Sequence, residues 1–142
     1  MSEKAGRLKT IVLAYDDTYA SKRALERAAE LAELFGAMLC VISVVPIVYG
    51  IRGGPVDPTE SKERHDEQLA KARTFLESRK VEAEFVEGFG EPGDVIIDTA
   101  ESKGAQLIVI GSRALSMFER MLGQSVSAYV QRHTRCDVLC VH

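Results

Sequence analysis

The sequence predicts an α/β fold: a single doubly wound domain built on a five-stranded parallel sheet with helices on both faces. Three observations carry that expectation. Short apolar runs alternate with helical stretches in the order β-α-β-α-β-α-β-α-β, and right-handed crossovers then lay each helix over a parallel sheet. A length of 142 residues suits one substantial core. No internal repeat, low-complexity tract or linker interrupts the pattern, so residues 1–142 are read as one domain.

Each element has its own justification. Thr10–Tyr15 (TIVLAY) is a short apolar run with β-branched residues at its start. From Ala20 to Phe35, apolar residues at 24, 25, 28, 29, 31, 32 and 35 oppose Lys22, Arg23, Glu26, Arg27, Glu30 and Glu33. That is the stripe of an amphipathic helix, with Asp17 or Thr18 as N-cap and Gly36 as its stop. Met38–Val45 is a second buried strand, and Pro46 to Pro58, rich in glycine and proline, reads as a connection.

Thr59 to Arg79 is a long charged helix whose apolar stripe (Leu69, Ala72, Leu76) covers only its second half. Its first half, including His65, is expected to project into solvent. Val81–Glu87 alternates V-E-A-E-F-V-E, the pattern of an edge strand with one wet face. Pro92 to Lys103 is a helix with proline in its first turn and Gly104 after its end. Leu107–Ile110 is a fully buried strand, Gly123 to His133 a helix, and Asp137–Val141 the last strand.

Composition narrows the function. Apolar residues make up 46%, charged residues 27%, and the net charge is -3, so there is no basic footprint for nucleic acid or an anionic membrane. The charged N-terminus lacks the apolar stretch of a signal peptide, and no apolar run is long enough to span a bilayer. A cytoplasmic protein is expected. Cys136, Cys140 and His142 share one face of the last strand, but residues four apart on a strand are separated by about 13 Å. That distance forbids a disulfide and does not suit one tetrahedral zinc, so the cysteines, with Cys40, are read as small core residues.

The segment from Gln106 to Val130 (QLIVIGSRALSMFERMLGQSVSAYV) concentrates the chemistry. A buried strand breaks at Gly111 into a polar loop with Arg113 and Arg120, and a helix restarts near Ser125 and Ser127. A helix N-terminus offers unpaired N–H groups and partial positive charge to an anion. Ligands of open α/β sheets bind at the carboxyl ends of strands where the winding reverses. A strand order 3-2-1-4-5 would set Asp16 beside Gly111, a carboxylate for ribose hydroxyls next to a loop for phosphates. A flavodoxin-like order, 2-1-3-4-5, would put the reversal between the first and third strands. Periodicity alone leaves both open.

Other signals are weaker. Gly88-Phe-Gly90-Glu-Pro-Gly93 matches G-x-G-x-x-G, yet it follows an apparent edge strand, and Glu91 would sit where pyrophosphate must approach. It is read as a turn and helix cap. No G-x-x-x-x-G-K-[ST] loop occurs, which excludes a P-loop NTPase. His65 and His133 have no partners in local sequence that would make a catalytic base.

The segments IVLAYDDTYASKRALERAAELAELFGAMLCVISVVP, GEPGDVIIDTAESKGAQLIVIGSRALS and SVSAYVQRHTRCDVLCVH together resemble the universal stress protein family over nearly the whole chain. The resemblance implies an adenine nucleotide alpha hydrolase-like fold with the 3-2-1-4-5 sheet. It implies a homodimer joined through Asp137–Val141, and ATP, with or without Mg²⁺, in the crevice between the first and fourth strands. The family's G-x2-G-x9-G-[ST] pattern carries onto Gly111, Ala114, Gln124 and Ser125, followed by Val126 and Ser127, with Gly123 one residue early. Asp16 matches the ribose-contacting acid, Val44 a position beside adenine, and Ala14 and Arg113 complete the expected nucleotide-binding set.

Two departures bear on the ligand. Ala114 and Gln124 stand where the pattern has glycine, which lets the backbone approach phosphate closely. Gln106 stands where the family usually has aspartate. The expected function is a stress-response regulatory protein that binds an adenine nucleotide. The alternative is a dimeric interaction module of the same family without nucleotide, motivated by Ala114 and Gln124. A slow ATPase has the least support, since no positioned base or metal ligand is evident.

Overall fold

The computed structural model describes residues 7–45, 58–112 and 125–142. In chain order these form β1 (Thr10–Ala14), α1 (Tyr19–Phe35), β2 (Met38–Val45), α2 (Pro58–Ser78), β3 (Ala83–Phe89), α3 (Pro92–Lys103), β4 (Leu107–Gly111), α4 (Val126–His133) and β5 (Asp137–Val141). The five strands make one parallel sheet in the order β3-β2-β1-β4-β5. The winding reverses between β1 and β4, where Ile11, Val12 and Leu13 pair with Leu107, Ile108 and Val109. Of the two orders open at the level of periodicity, the flavodoxin-like one is excluded.

Alternate strand residues point to opposite faces, and each face has its own core. On one, Ile11, Leu13, Leu39, Val41 and Val109 meet the alanine stripe of α1 and Ala72 and Leu76 of α2. On the other, Val12, Ile42, Ile108 and Ile110 meet Ile96, Ile97 and Ala100 of α3 and Val130 of α4. All three cysteines are unbridged and belong to or pack against this second core. Burial pushes their thiols up, Cys40 to about 11, as expected of apolar filling rather than a reactive thiolate.

Helix ends follow the sequence signals closely. Thr18 caps α1, its Oγ1 accepting from Ser21 N at 3.2 Å, and Gly36 ends that helix at φ 64° with its N–H on Ala32 O. Two starts differ from expectation by two residues or more. β3 begins at Ala83 rather than Val81, because Lys80 at φ 58° and the Val81 N–H to Leu76 O bond (3.0 Å) keep Val81 in the turn after α2. α4 begins at Val126 rather than Gly123, since Ser125 is extended and its Oγ accepts from Ala128 N at 3.2 Å.

The G-x-G-x-x-G string is a packing surface. A Cβ on Gly88 would lie 2.5 Å from Val95 Cγ1, and one on Gly93 only 2.3 Å from Tyr129 Cδ1. These glycines let α3 approach β3 and α4, with Glu91 at the N-cap position and Pro92 in the first turn. Gln106 also acquires a reason. Its Oε1 accepts from Lys9 N and Thr10 N, both at 2.9 Å, while its Nε2 donates to Gly104 O at 2.7 Å. One amide thus ties the entry of β1 to the entry of β4. A carboxylate here could accept but not also donate to Gly104, so glutamine suits this clamp in a way aspartate would not.

Candidate functional site

The carboxyl ends of β1 and β4 meet at the reversal, and the chain leaving β1 is held tightly. Asp16 Oδ1 accepts from Thr18 Oγ1 at 2.7 Å and from Thr18 N at 3.1 Å. Ser21 Oγ accepts from Asp16 N at 3.3 Å and donates to Thr18 O at 3.2 Å. The carboxylate is therefore fixed against the first turn of α1, where the helix dipole favours negative charge.

Asp17 has φ 63°, a left-handed position that aspartate tolerates better than most residues. It is held there by Tyr15 Oη on Oδ1 (3.1 Å), Lys71 Nζ on Oδ2 (3.0 Å) and Lys22 Nζ near Oδ1 (3.6 Å). Burial pushes the Asp17 carboxyl up, but the hydrogen bonds from Lys71 and Tyr15 and the charge of Lys22 outweigh it and leave it below the usual range. Tyr15 moves the opposite way, raised by burial and by Asp17.

Gly111 ends β4 against this same turn. A Cβ placed on it would lie 2.8 Å from Ala20 C and from Ser21 N. Beyond it, Ser112 O accepts from Ser127 Oγ at 3.4 Å, Ser127 Oγ and Ser125 Oγ are 3.0 Å apart, and Ser112 Oγ is 2.7 Å from His142 Nδ1. A continuous path of contacts therefore runs from Asp16 through Ser21, Gly111 and Ser112 to the hydroxyls at the start of α4. Among the site residues expected from sequence, Asp16, Gly111, Ser125 and Ser127 are brought together in this way.

Ala14 is the last residue of β1, opposite Ile42, and Val44 pairs with Gly88. Both pack toward the second core, as does Val126. Arg113, Ala114, Gly123 and Gln124 lie outside the described residues, as do Arg120 and residues 46–57 of the connection after β2.

His65 corrects an expectation. It is half-buried rather than solvated, and its Nδ1 contacts Ser43 Oγ on β2. A charged helical stretch carries no period that distinguishes a solvated face from one pressed against buried hydroxyls. Ser21, Ser112 and His142 also join this polar cluster, and sequence reasoning does not find them. Only Ser21 has a signal, three residues after the N-cap of α1, where a polar side chain can turn back on the cap. His133 stacks on Tyr129, with ring centroids 4.2 Å apart, and sits in the last turn of α4, where an imidazole complements the helix end.

Among the described residues no group of three or more His, Cys, Asp or Glu could hold a metal ion, and no helix is long and apolar enough to cross a membrane.

Fold and site together define a doubly wound α/β protein with a cluster of polar groups at its winding reversal. A profile described as the Universal stress protein family matches residues 7–142, and the chain belongs to that family. The universal stress protein YxiE of Bacillus subtilis is 31% identical over 144 residues, an alignment covering 92% of this chain and 97% of YxiE. A universal stress protein solved in complex with cAMP superposes with a TM-score of 0.75 at 26% identity, covering 96% of this chain and 98% of that one. The universal stress protein from Archaeoglobus fulgidus solved in complex with dAMP gives 0.69 at 29% identity, with 94% and 98% covered.

Proposed function

We propose that this protein is a stress-response regulatory protein that binds an adenine nucleotide, ATP in the first instance, between the carboxyl ends of β1 and β4. The observation that carries the reading is the contact path joining Asp16 to the hydroxyls of Ser125 and Ser127. In this reading Asp16 takes ribose hydroxyls, Ala14 and Val44 flank adenine, and Gly111, Ser125, Val126 and Ser127 form the phosphate end at the N-terminus of α4. Arg113, Ala114, Gly123 and Gln124 would complete the phosphate loop. The relatives solved with cAMP and dAMP support an adenine nucleotide as the ligand class.

Calorimetric titration with ATP, with and without Mg²⁺, tests this. Binding is expected, and Ser127→Ala is expected to weaken it by about tenfold, the loss of one hydrogen bond to a charged group. No heat at millimolar ATP and Mg²⁺ would favour the alternative, a nucleotide-free interaction module, which Ala114 and Gln124 motivate.

The same reading makes the protein a homodimer through β5. That strand is one edge of the sheet, and an edge strand offers unpaired backbone groups to a second copy. Sedimentation equilibrium is expected to give twice the chain mass, and Val138→Pro, which removes a backbone donor on the side of β5 away from β4, would serve as a disruptive control. A monomer at micromolar concentration would contradict the dimer without touching the nucleotide site.

A further inference from the structure

The two halves of α2 are attached to the sheet by different chemistry. The second half buries Ala72 and Leu76. Between Lys62 and Lys71 the helix offers only the half-buried Leu69 as apolar contact. What it presents instead is a row of polar partners. Lys62 Nζ reaches Glu87 Oε1 at 3.3 Å, and Lys71 Nζ reaches Asp17 Oδ2 at 3.0 Å. Ser43, fully buried on β2, donates to Gln68 Oε1 at 3.5 Å and shares a hydrogen bond with His65 Nδ1.

Glu87 stands opposite Ser43 in the sheet register. Its Oε2 is buried with no donor beside it, and the Asp66 carboxyl lies within hydrogen-bonding reach of the Glu87 side chain. Two carboxylates bring no proton donor of their own, so that contact is favourable only when one of them is protonated.

We propose that residues 62–71 of α2 form a polar latch on β2 and β3 with two opposed proton gates, His65 loosening it in acid and Glu87 loosening it as the pH rises. None of its residues is among those proposed to contact the nucleotide. It reaches the β1–α1 loop through the Lys71–Asp17 pair.

The groups facing each gate set its direction. Burial disfavours the His65 imidazolium and Arg64 adds to that, while Asp16 and Asp66 oppose it, and the balance lies below the usual 6.5. A released His65 therefore takes up a proton that the docked one refuses, and docking weakens as pH falls from 6.5 toward the lowered value. Burial and the Asp66 carboxyl hold Glu87 above the usual 4.5, with Lys62 opposing. Docking through Glu87 weakens as pH rises from 4.5 through the raised value. Each gate acts through one proton, so its limb cannot exceed about tenfold per pH unit. In the native chain the two partly cancel.

Single substitutions separate them. Glu87→Gln keeps a donor toward Asp66 and removes one gate, and His65→Asn keeps a hydrogen-bonding amide toward Ser43 and removes the other. Amide hydrogen exchange, corrected for the intrinsic chemical rate, would be followed from pH 4.5 to 7.5 for residues 62–71, with residues 72–78 as reference. In E87Q the protection of 62–71 is expected to fall with falling pH, and in H65N to fall with rising pH, each by up to tenfold per unit. Equal slopes in the two variants, or protection of 62–71 that tracks 72–78 at every pH, would overturn the latch. Should a variant not fold, an NMR titration of the His65 ring in the native chain decides the acid gate. A midpoint below 6.5 supports it, and one at or above 6.5 removes it.

Discussion

Replacing Leu76 by alanine is expected to lower the unfolding free energy by about 2–5 kcal/mol, the range for truncating a fully buried leucine. Leu76 is 1% exposed and lies in the core between α1, α2 and the sheet. Its carbonyl also accepts from Val81 N at 3.0 Å, at the turn that leads into β3. The substitution leaves the carbonyl in place and opens a cavity beneath the last turns of α2. With its main apolar anchor gone, the helix would depend on the ion pairs and hydroxyl contacts of its first half. Exposed ion pairs are individually worth about 0–1 kcal/mol and cannot make up the loss. Urea unfolding should show a lower midpoint with the slope m unchanged. A loss below about 1 kcal/mol would mean that α2 is held chiefly by its polar face.

That contrast explains what can be read from sequence. Ala72 and Leu76 recur at helical spacing, and a period of that kind is itself the mark of a buried face. The alanine stripe of α1 and the Thr18 and Gly36 caps are legible in the same way. The Gly88–Gly93 string reads as a turn and helix cap because the strand before it alternates like an edge. Glu91 and Pro92 do start α3, but Gly88 lies within β3, and the packing role of Gly88 and Gly93 emerges only from the structure. The contacts of His65, Ser43 and Glu87 cannot be read. Their partners lie on other elements, brought into register by β2 and β3 pairing, and polar complementarity across a sheet has no sequence period. Gln106 is visible only as a departure from a family pattern, since its partners Lys9 and Thr10 lie 97 and 96 positions earlier in the chain. At the site, Asp16, Gly111, Ser125 and Ser127 are identifiable because each sits at an element end that the pattern marks. The bonds that orient Asp16 come from Thr18 and Ser21, and those emerge only from the local path of the backbone.

Gly111→Ala is expected to destabilise the ligand-free protein by about 1–3 kcal/mol, the usual cost of overpacking. The new Cβ would lie 2.8 Å from Ala20 C and Ser21 N and 2.9 Å from Ala20 Cβ. Two of these neighbours are backbone atoms, so no rotamer change relieves the contact and the first turn of α1 must move. That turn carries Ser21, whose Oγ accepts from the Asp16 backbone N–H. The glycine at the head of the expected phosphate loop is thus required by the packing of α1 against β4 whether or not a ligand binds. Loss of nucleotide binding in this variant would not separate the two roles, and the unfolding midpoint of the ligand-free variant does. A midpoint equal to the native one would show that α1 has room to yield.

The Gln106 clamp bears on how the chain finds its fold. The β1–β2–β3 and β4–β5 halves of the sheet each pair consecutive strands. Only the β1–β4 seam joins them, and the amide of Gln106 bonds a partner 96 positions earlier. Closing so long a loop costs chain entropy before any contact across it gives stability in return. Each half can gather its own neighbours first, and the seam, with its clamp, is the step that makes one sheet of two.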